Sequence, residues 1–139
     1  MSALSDTQFI GHGIEIVKTT HIQALIEQSG EQLEVKCFTE KERNTPPLGA
    51  KRIEYLAGRF AAKKAILKVL GIENNPNISQ LDIEIQRLPS GEPSVILHGK
   101  CQDIATKLGI TKWLLSISHT SSYAAASAIA TQQSTLSLS

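Results

Sequence analysis

A glutamate and a lysine occupy positions that are poor places for a charge. Glu15 is the lone carboxylate in the apolar run from Phe9 to Val17. A carboxylate carried into such surroundings needs a cation beside it, either a metal ion or a side chain. Lys64 has the complementary problem. At helical spacing it lies about 40° from Phe60, inside the apolar stripe of the longest helical segment, so its ammonium needs an exit to solvent or an anionic partner. Arg59, Lys63 and Lys68 add three more cations within the same few turns, with Lys64 and Lys68 as i, i+4 neighbours. Such a cluster is commonly a solvated face, but its overlap with the apolar stripe points to an anion nearby. A third group follows downstream, where Ser118, His119, Thr120, Ser121 and Ser122 concentrate hydroxyls and an imidazole at a strand end. That composition suits a phosphate, and it equally suits a plain polar turn. The other histidines, His12, His21 and His98, share no i, i+3 or i, i+4 spacing with one another or with His119, so no pair presents two ligands on one helical face.

The elements that must position these groups can be read from periodicity. Phe9 to Val17 reads as a strand, with Ile10, Ile14 and Ile16 on one side and Phe9, Gly11, Gly13, Glu15 and Val17 on the other. Thr20 to Gln28 predicts a short helix with Thr20 as N-cap and Gly30 as the stop. Thr39 and Glu42 fit a capping box, and the run Asn44 to Gly49 ends that small helix in a loop. Ile53 to Leu70 predicts the longest helix, closed by Gly71, with Ile53, Leu56, Phe60 and Leu67 as its core-facing stripe. DIEIQ and PSVIL flank the turn sequence from Leu88 to Glu92 and predict a β-hairpin. Cys101, Ile104, Ala105 and Leu108 mark a further helix ended by Gly109. Strands from Trp113 to Ser118 and from Tyr123 to Ala130 complete the chain. The small side chains of the last strand suggest close packing, between subunits among the options, and residues 131–139 read as a frayed polar tail. The order gives an α+β fold, a mostly antiparallel sheet with one long central helix.

Composition narrows the function classes. The 139 residues, 41% of them hydrophobic, suffice for one domain spanning residues 1–139 with its own core. Fourteen basic against thirteen acidic residues leave a charge of +1, without the excess a general nucleic-acid binder would need. No run approaches the ~18 apolar residues of a membrane span, and no signal-like segment opens the chain. The expectation is a soluble cytoplasmic protein with neither nucleic acid nor membrane as partner. Cys37 and Cys101 lack metal-site spacing and read as reduced core residues.

The segments GHGIEIV, FTEKE, EYLAGRFAAKKAILKVLG, DIEI followed by SGEP, and SISHTSSYAAA occur in the order found in bacterial holo-acyl-carrier-protein synthases, and the chain resembles that family from about Ile10 to Ala130. These are the short trimeric 4′-phosphopantetheinyl transferases. The resemblance implies their fold, a homotrimer with coenzyme A in clefts between subunits, and an acyl carrier protein as the partner, within lipid synthesis. It implies transfer of phosphopantetheine from coenzyme A to a carrier serine, releasing adenosine 3′,5′-bisphosphate, with Mg²⁺ across the pyrophosphate. By motif, Glu15 falls at the metal-binding strand carboxylate and Lys64 at the helix position of a second carboxylate. Lys63 and Lys68 match lysines near the coenzyme A phosphates. Arg59, His119 and Thr120 match residues around the nucleotide, and Ser118 of the hydroxyl cluster joins the expected cofactor-binding set.

The resemblance breaks at three places. GIEI stands where the family reads GIDI, which keeps a carboxylate. AAKKA stands where it reads AAKEA, which puts an ammonium in place of an anionic ligand. At an effective dielectric of ~20 and ~4 Å a pair of unit charges interacts by about 4 kcal/mol, so Lys64 disfavours a bound Mg²⁺ strongly. The expectation is that Lys64 pairs with Glu15, making Glu15, Lys64 and Lys68 the catalytic set. The first helix, THIQALIEQSGEQ, also lacks the basic residues that attract an acidic carrier protein. Two functional readings follow: a transferase in which Lys64 neutralises the pyrophosphate directly, or a homologue that binds coenzyme A or partners without transfer.

Overall fold

The computed structural model, which describes residues 5–44 and 49–135, has eleven elements, one of them a long central helix. Strand β1 (Ser5–Lys18) leads through helices α1 (Thr19–Ser29), α2 (Glu31–Cys37) and α3 (Glu40–Arg43) to α4 (Ala50–Leu70). A single 3₁₀ turn (Gln80–Asp82), the hairpin β2 (Ile83–Arg87) and β3 (Pro93–Leu97), helix α5 (Gly99–Leu108), and strands β4 (Lys112–His119) and β5 (Tyr123–Thr135) follow. Both sheets are antiparallel. One has the order β1-β5-β4 and the other is the β2-β3 pair. The α+β expectation, with the long helix at the centre, agrees with this architecture.

Local chemistry explains the boundaries. The Thr39 side chain accepts from the Glu42 N–H while the Glu42 carboxylate accepts from the Thr39 N–H at 2.8 Å, a complete capping box. Gly71 and Gly109 end α4 and α5 in the left-handed conformation, as anticipated. The predicted stop at Gly30 is present too, but α1 begins after Lys18 rather than Thr20, with no side-chain cap. The Thr19 hydroxyl instead donates to the Ser121 carbonyl at 2.6 Å, tying the helix start to the β4–β5 turn. Within the expected Asn44–Gly49 loop, Asn44 caps α3, and residues 45–48 lie outside the described residues.

The core lies between α4 and the three-stranded sheet. Ala57, Ala61 and Ala65 of the helix and Ala124, Ala126 and Ala128 of β5 share one buried cluster. The small residues of β5 therefore serve helix packing within this chain. A Cβ at Gly13 would fall 2.1 Å from the Ala65 carbonyl oxygen, which makes glycine obligatory there. The most buried arc of α4 is consequently the alanine face. Of the predicted stripe, Leu56 and Leu67 are buried, while Ile53 and Phe60 are half-buried. A second cluster of Cys37, Phe38 and Leu56 covers another side of α4, and Ile26 and Phe60 pack against both clusters.

The polar tail expectation is corrected over residues 131–135, which extend β5. Its partners Ser5 to Phe9 supply the ladder hydrogen bonds that sequence polarity hides. Residues 136–139 lie outside the described residues.

Candidate active site

A cavity of about 730 Å³ opens between α3, the start of α4, β2 and the end of β4. Its chemistry is cationic: Lys41, Lys51, Arg59, Arg87 and His119 line it, against the carboxylates of Glu42 and Glu54. Gly58 leaves room on the helix wall, where an added Cβ would meet the Ile117 side chain at 3.0 Å. Arg59 is 5% exposed, its guanidinium sits 4.2 Å from the Tyr55 ring centroid, and its Nε is buried without a hydrogen-bond partner. Burial pushes the Arg59 pKa down, which measures how poorly solvated this cation is. Glu54, one turn before Gly58, holds His119 Nδ1 at 3.1 Å and so orients the imidazole at the cavity rim. A buried guanidinium with its Nε unpartnered, sharing the cavity with lysines and an oriented imidazole, is an arrangement for a phosphorylated ligand.

The other expected residues lie elsewhere. Thr120 closes the β4–β5 turn, its hydroxyl accepting from the Ser122 and Tyr123 N–H groups at 3.1 Å each. Ser118 is exposed on β4 opposite Ala125, on the sheet face turned away from α4. Lys63 overturns its expected place beside a phosphate. Its side chain is fully buried and its ammonium donates to the Cys37 carbonyl at 2.6 Å, Glu42 Oε1 at 2.7 Å and the Gln80 carbonyl at 3.1 Å. Three acceptors use its three N–H groups. Burial lowers its pKa, and Glu42 opposes that effect. The lysine joins α2, α3, the 3₁₀ turn and α4 in the interior behind the cavity.

Glu15 faces α4 beside Gly13, and the partner it finds is Lys68, at 2.6 Å from Glu15 Oε1. Lys68 Nζ also donates to the Ile14 carbonyl at 2.9 Å. The hydrogen bond to Glu15 raises the Lys68 pKa. The expected Lys64–Glu15 pair is thereby corrected. Lys68 rides directly over β1, where a Cβ on Gly13 would come within 3.2 Å of its own, whereas Lys64 turns its ammonium to 5.5 Å from the Phe60 ring centroid. Side chains on α4 at 59 and 68 diverge by roughly half a turn around the axis, so the cavity and the Glu15–Lys68 pair occupy opposite sides of one helix.

The residues present do not fit a two-carboxylate Mg²⁺ site. Glu15 is engaged by one ammonium, a second ammonium stands at position 64, and among the described residues no group of three or more His, Cys, Asp or Glu converges to hold a metal ion. Two further histidines engage other groups: His12 meets the Ser127 hydroxyl at 3.1 Å and His98 stands 3.8 Å from Glu84. Both cysteines are free and buried, and burial raises their pKa values, that of Cys101 to about 11. Among the described residues no helix is long and apolar enough to cross a membrane.

Sequence reasoning missed Glu54, Tyr55, Lys51, Lys41 and Arg87 as cavity residues. Tyr55 had a signal, four positions before Arg59 on a helix. Arg87 had none, because it reaches the cavity only through hairpin placement.

Comparison with known proteins is consistent with this geometry. The family model of the 4′-phosphopantetheinyl transferase superfamily matches residues 11–128. A holo-[acyl-carrier-protein] synthase of Koribacter versatilis is 36% identical over 120 residues, covering 86% of this chain and 96% of the relative. One from Caldanaerobacter subterraneus is 42% identical over 118 residues, covering 85% and 91%. Among solved structures, the acyl carrier protein synthase of Plasmodium yoelii with ADP bound superposes with a TM-score of 0.80 at 30% identity, covering 91% of this chain and 98% of that one. The Bacillus anthracis holo-(acyl-carrier-protein) synthase in complex with CoA (3′,5′-ADP) gives 0.73 at 29% identity, covering 89% and 97%.

Proposed function

This chain belongs to the 4′-phosphopantetheinyl transferase superfamily, and from that premise we propose that it carries phosphopantetheine from coenzyme A to a serine of an apo acyl carrier protein. The observation that carries the reading is the cavity built on Arg59, with its unpartnered buried Nε, and on the Glu54–His119 pair. Those groups suit the phosphorylated nucleotide of coenzyme A, and the relative solved with CoA (3′,5′-ADP) supports the same ligand class.

In the reaction the carrier serine Oγ bonds to the β-phosphorus of the pyrophosphate. The bond from that phosphorus to the bridging oxygen breaks, its electron pair leaves with adenosine 3′,5′-bisphosphate, and the serine proton passes to water. The chain's part is positioning and electrostatics. Arg59 and His119 anchor the nucleotide, with Thr120 shaping the turn that carries His119. Lys68, paired with Glu15 and partly exposed, presents a positive charge on the far side of α4. That placement requires the ligand to run from one side of a helix to another, which a neighbouring copy's cleft would permit.

A homotrimer is part of the reading. The resemblance supplies the number three, and the sheet face turned away from α4 supplies a surface: Ile14 is 54% exposed, Ile16 63% and Leu114 46%. Apolar side chains in such a patch mark an association site. The chain works as one domain over residues 1–139, supported by Ile26 and Phe60 joining both core clusters. Free buried cysteines fit a reducing cytoplasm.

The test is incubation with coenzyme A and a panel of apo carrier proteins, followed by intact-mass measurement. A phosphopantetheine adduct with matching release of adenosine 3′,5′-bisphosphate is expected. Absence of the adduct across the panel, with coenzyme A still bound, would leave a binding protein instead of a transferase.

A further inference from the structure

We propose that the transfer, granting the activity proposed above, needs no divalent cation held by protein carboxylates, because a lysine ammonium already occupies the cation's place beside Glu15. Glu15 Oε1 lies 2.6 Å from Lys68 Nζ, and the same ammonium is fixed a second time by the Ile14 carbonyl at 2.9 Å. Two anchors define a position, as metal ligands would. The adjacent turn of α4 contributes Lys64, half-buried with its ammonium 5.5 Å from the Phe60 ring centroid. A magnesium ion approaching Glu15 would therefore have to displace one ammonium in the field of another, with no second carboxylate to complete its shell. Magnesium also binds near-ideal octahedral oxygen sets and gives up water reluctantly, which a single preoccupied carboxylate does not offset.

The pair is accessible enough to act on a ligand. The Lys68 side chain is 37% exposed and that of Glu15 23%. Lysine is a recognised point-charge partner for phosphate, with three donors to share among carboxylate, carbonyl and an incoming oxygen. In the balanced step given above, Lys68 and Lys64 stay protonated throughout. They offset charge gathering on the pyrophosphate oxygens as the phosphorus–oxygen bond breaks, and neither gains nor loses a proton.

Initial rates of adduct formation are compared for the full chain with millimolar Mg²⁺ and with excess chelator. The two rates are expected to agree within about twofold, whereas a fall of more than about tenfold in chelator overturns the proposal. A second readout is independent of turnover: Mn²⁺ is titrated against protein with and without coenzyme A, and the free aqueous ion is followed by its paramagnetic resonance signal. The parent chain should add no binding beyond that of coenzyme A itself, and Lys64→Glu should tighten Mn²⁺ binding by about tenfold or more. Unchanged Mn²⁺ affinity in Lys64→Glu refutes the role given to that lysine. If no adduct forms in either arm, the activity reading fails by itself, and the parent's Mn²⁺ titration decides the cation question: binding at Glu15 overturns it, its absence upholds it.

Discussion

Two ion pairs hang from opposite sides of α4, and they differ in almost everything except distance. Lys63–Glu42 closes at 2.7 Å with both side chains essentially buried, while Lys68–Glu15 closes at 2.6 Å with both partly exposed. In the first, every N–H of the lysine is taken, and Glu42 also accepts from the N–H groups of Thr39 and Ile85. The second leaves water and ligands free to compete. Contact length says little about what a pair does; solvation decides. A buried network with all partners satisfied fixes elements relative to one another, whereas an exposed pair contributes little stability and can be reorganised by an incoming anion.

Removing the buried partner should have the largest effect. Lys63→Met leaves the Glu42 carboxylate uncompensated in the interior, and a loss of about 3–5 kcal/mol is expected in denaturant unfolding. The double variant with Glu42→Gln should recover part of that loss; full additivity of the two single costs would show that the groups do not act as a pair. Gly13→Ala tests the frame common to both sides. Its methyl cannot coexist with the Ala65 carbonyl, so α4 must lift from β1, at an expected cost of about 1–3 kcal/mol by the same measurement. Arg59→Ala should weaken binding of adenosine 3′,5′-bisphosphate by roughly tenfold, or about 1.4 kcal/mol in titration calorimetry, with the unfolding midpoint moving far less than for Lys63→Met. Lys68→Ala sharpens the contrast most directly: the unfolding midpoint should stay within error while adduct formation slows by about tenfold or more. A large stability loss there would erase the distinction between the two pairs. The smallest effect concerns the thiols, since burial with pKa values raised, to about 11 for Cys101, should leave both cysteines unmodified by iodoacetamide at pH 8 until the chain is unfolded.

How far these arrangements were legible in the sequence depends on the range of the interactions. The Thr39 capping box, the helix stops at Gly71 and Gly109, and the Leu88–Glu92 turn are written in neighbouring residues, and all appear. Helix α2 was not anticipated, because seven residues give too few turns for a periodic signal. Charge placement was harder. The demand of Glu15 for a cation is a local fact, but the choice of Lys68 over Lys64 depends on how α4 crosses β1 at Gly13, which only packing determines. The fate of Lys63 was invisible for the same reason. Its three acceptors come from positions 37, 42 and 80, brought together only when the chain has folded.

Strand β1 carries two loads on alternate residues: Gly13, Glu15 and Val17 toward the helix, Ile14 and Ile16 toward the open face. Alternation ties them together. One residue inserted or deleted between Gly11 and Gly13 would reverse both sets at once, sending an isoleucine against the Ala65 carbonyl and the carboxylate out among the exposed apolar side chains of the open face. Drift in length is thus barred along this stretch, while exchange of residue type at the outward positions stays open.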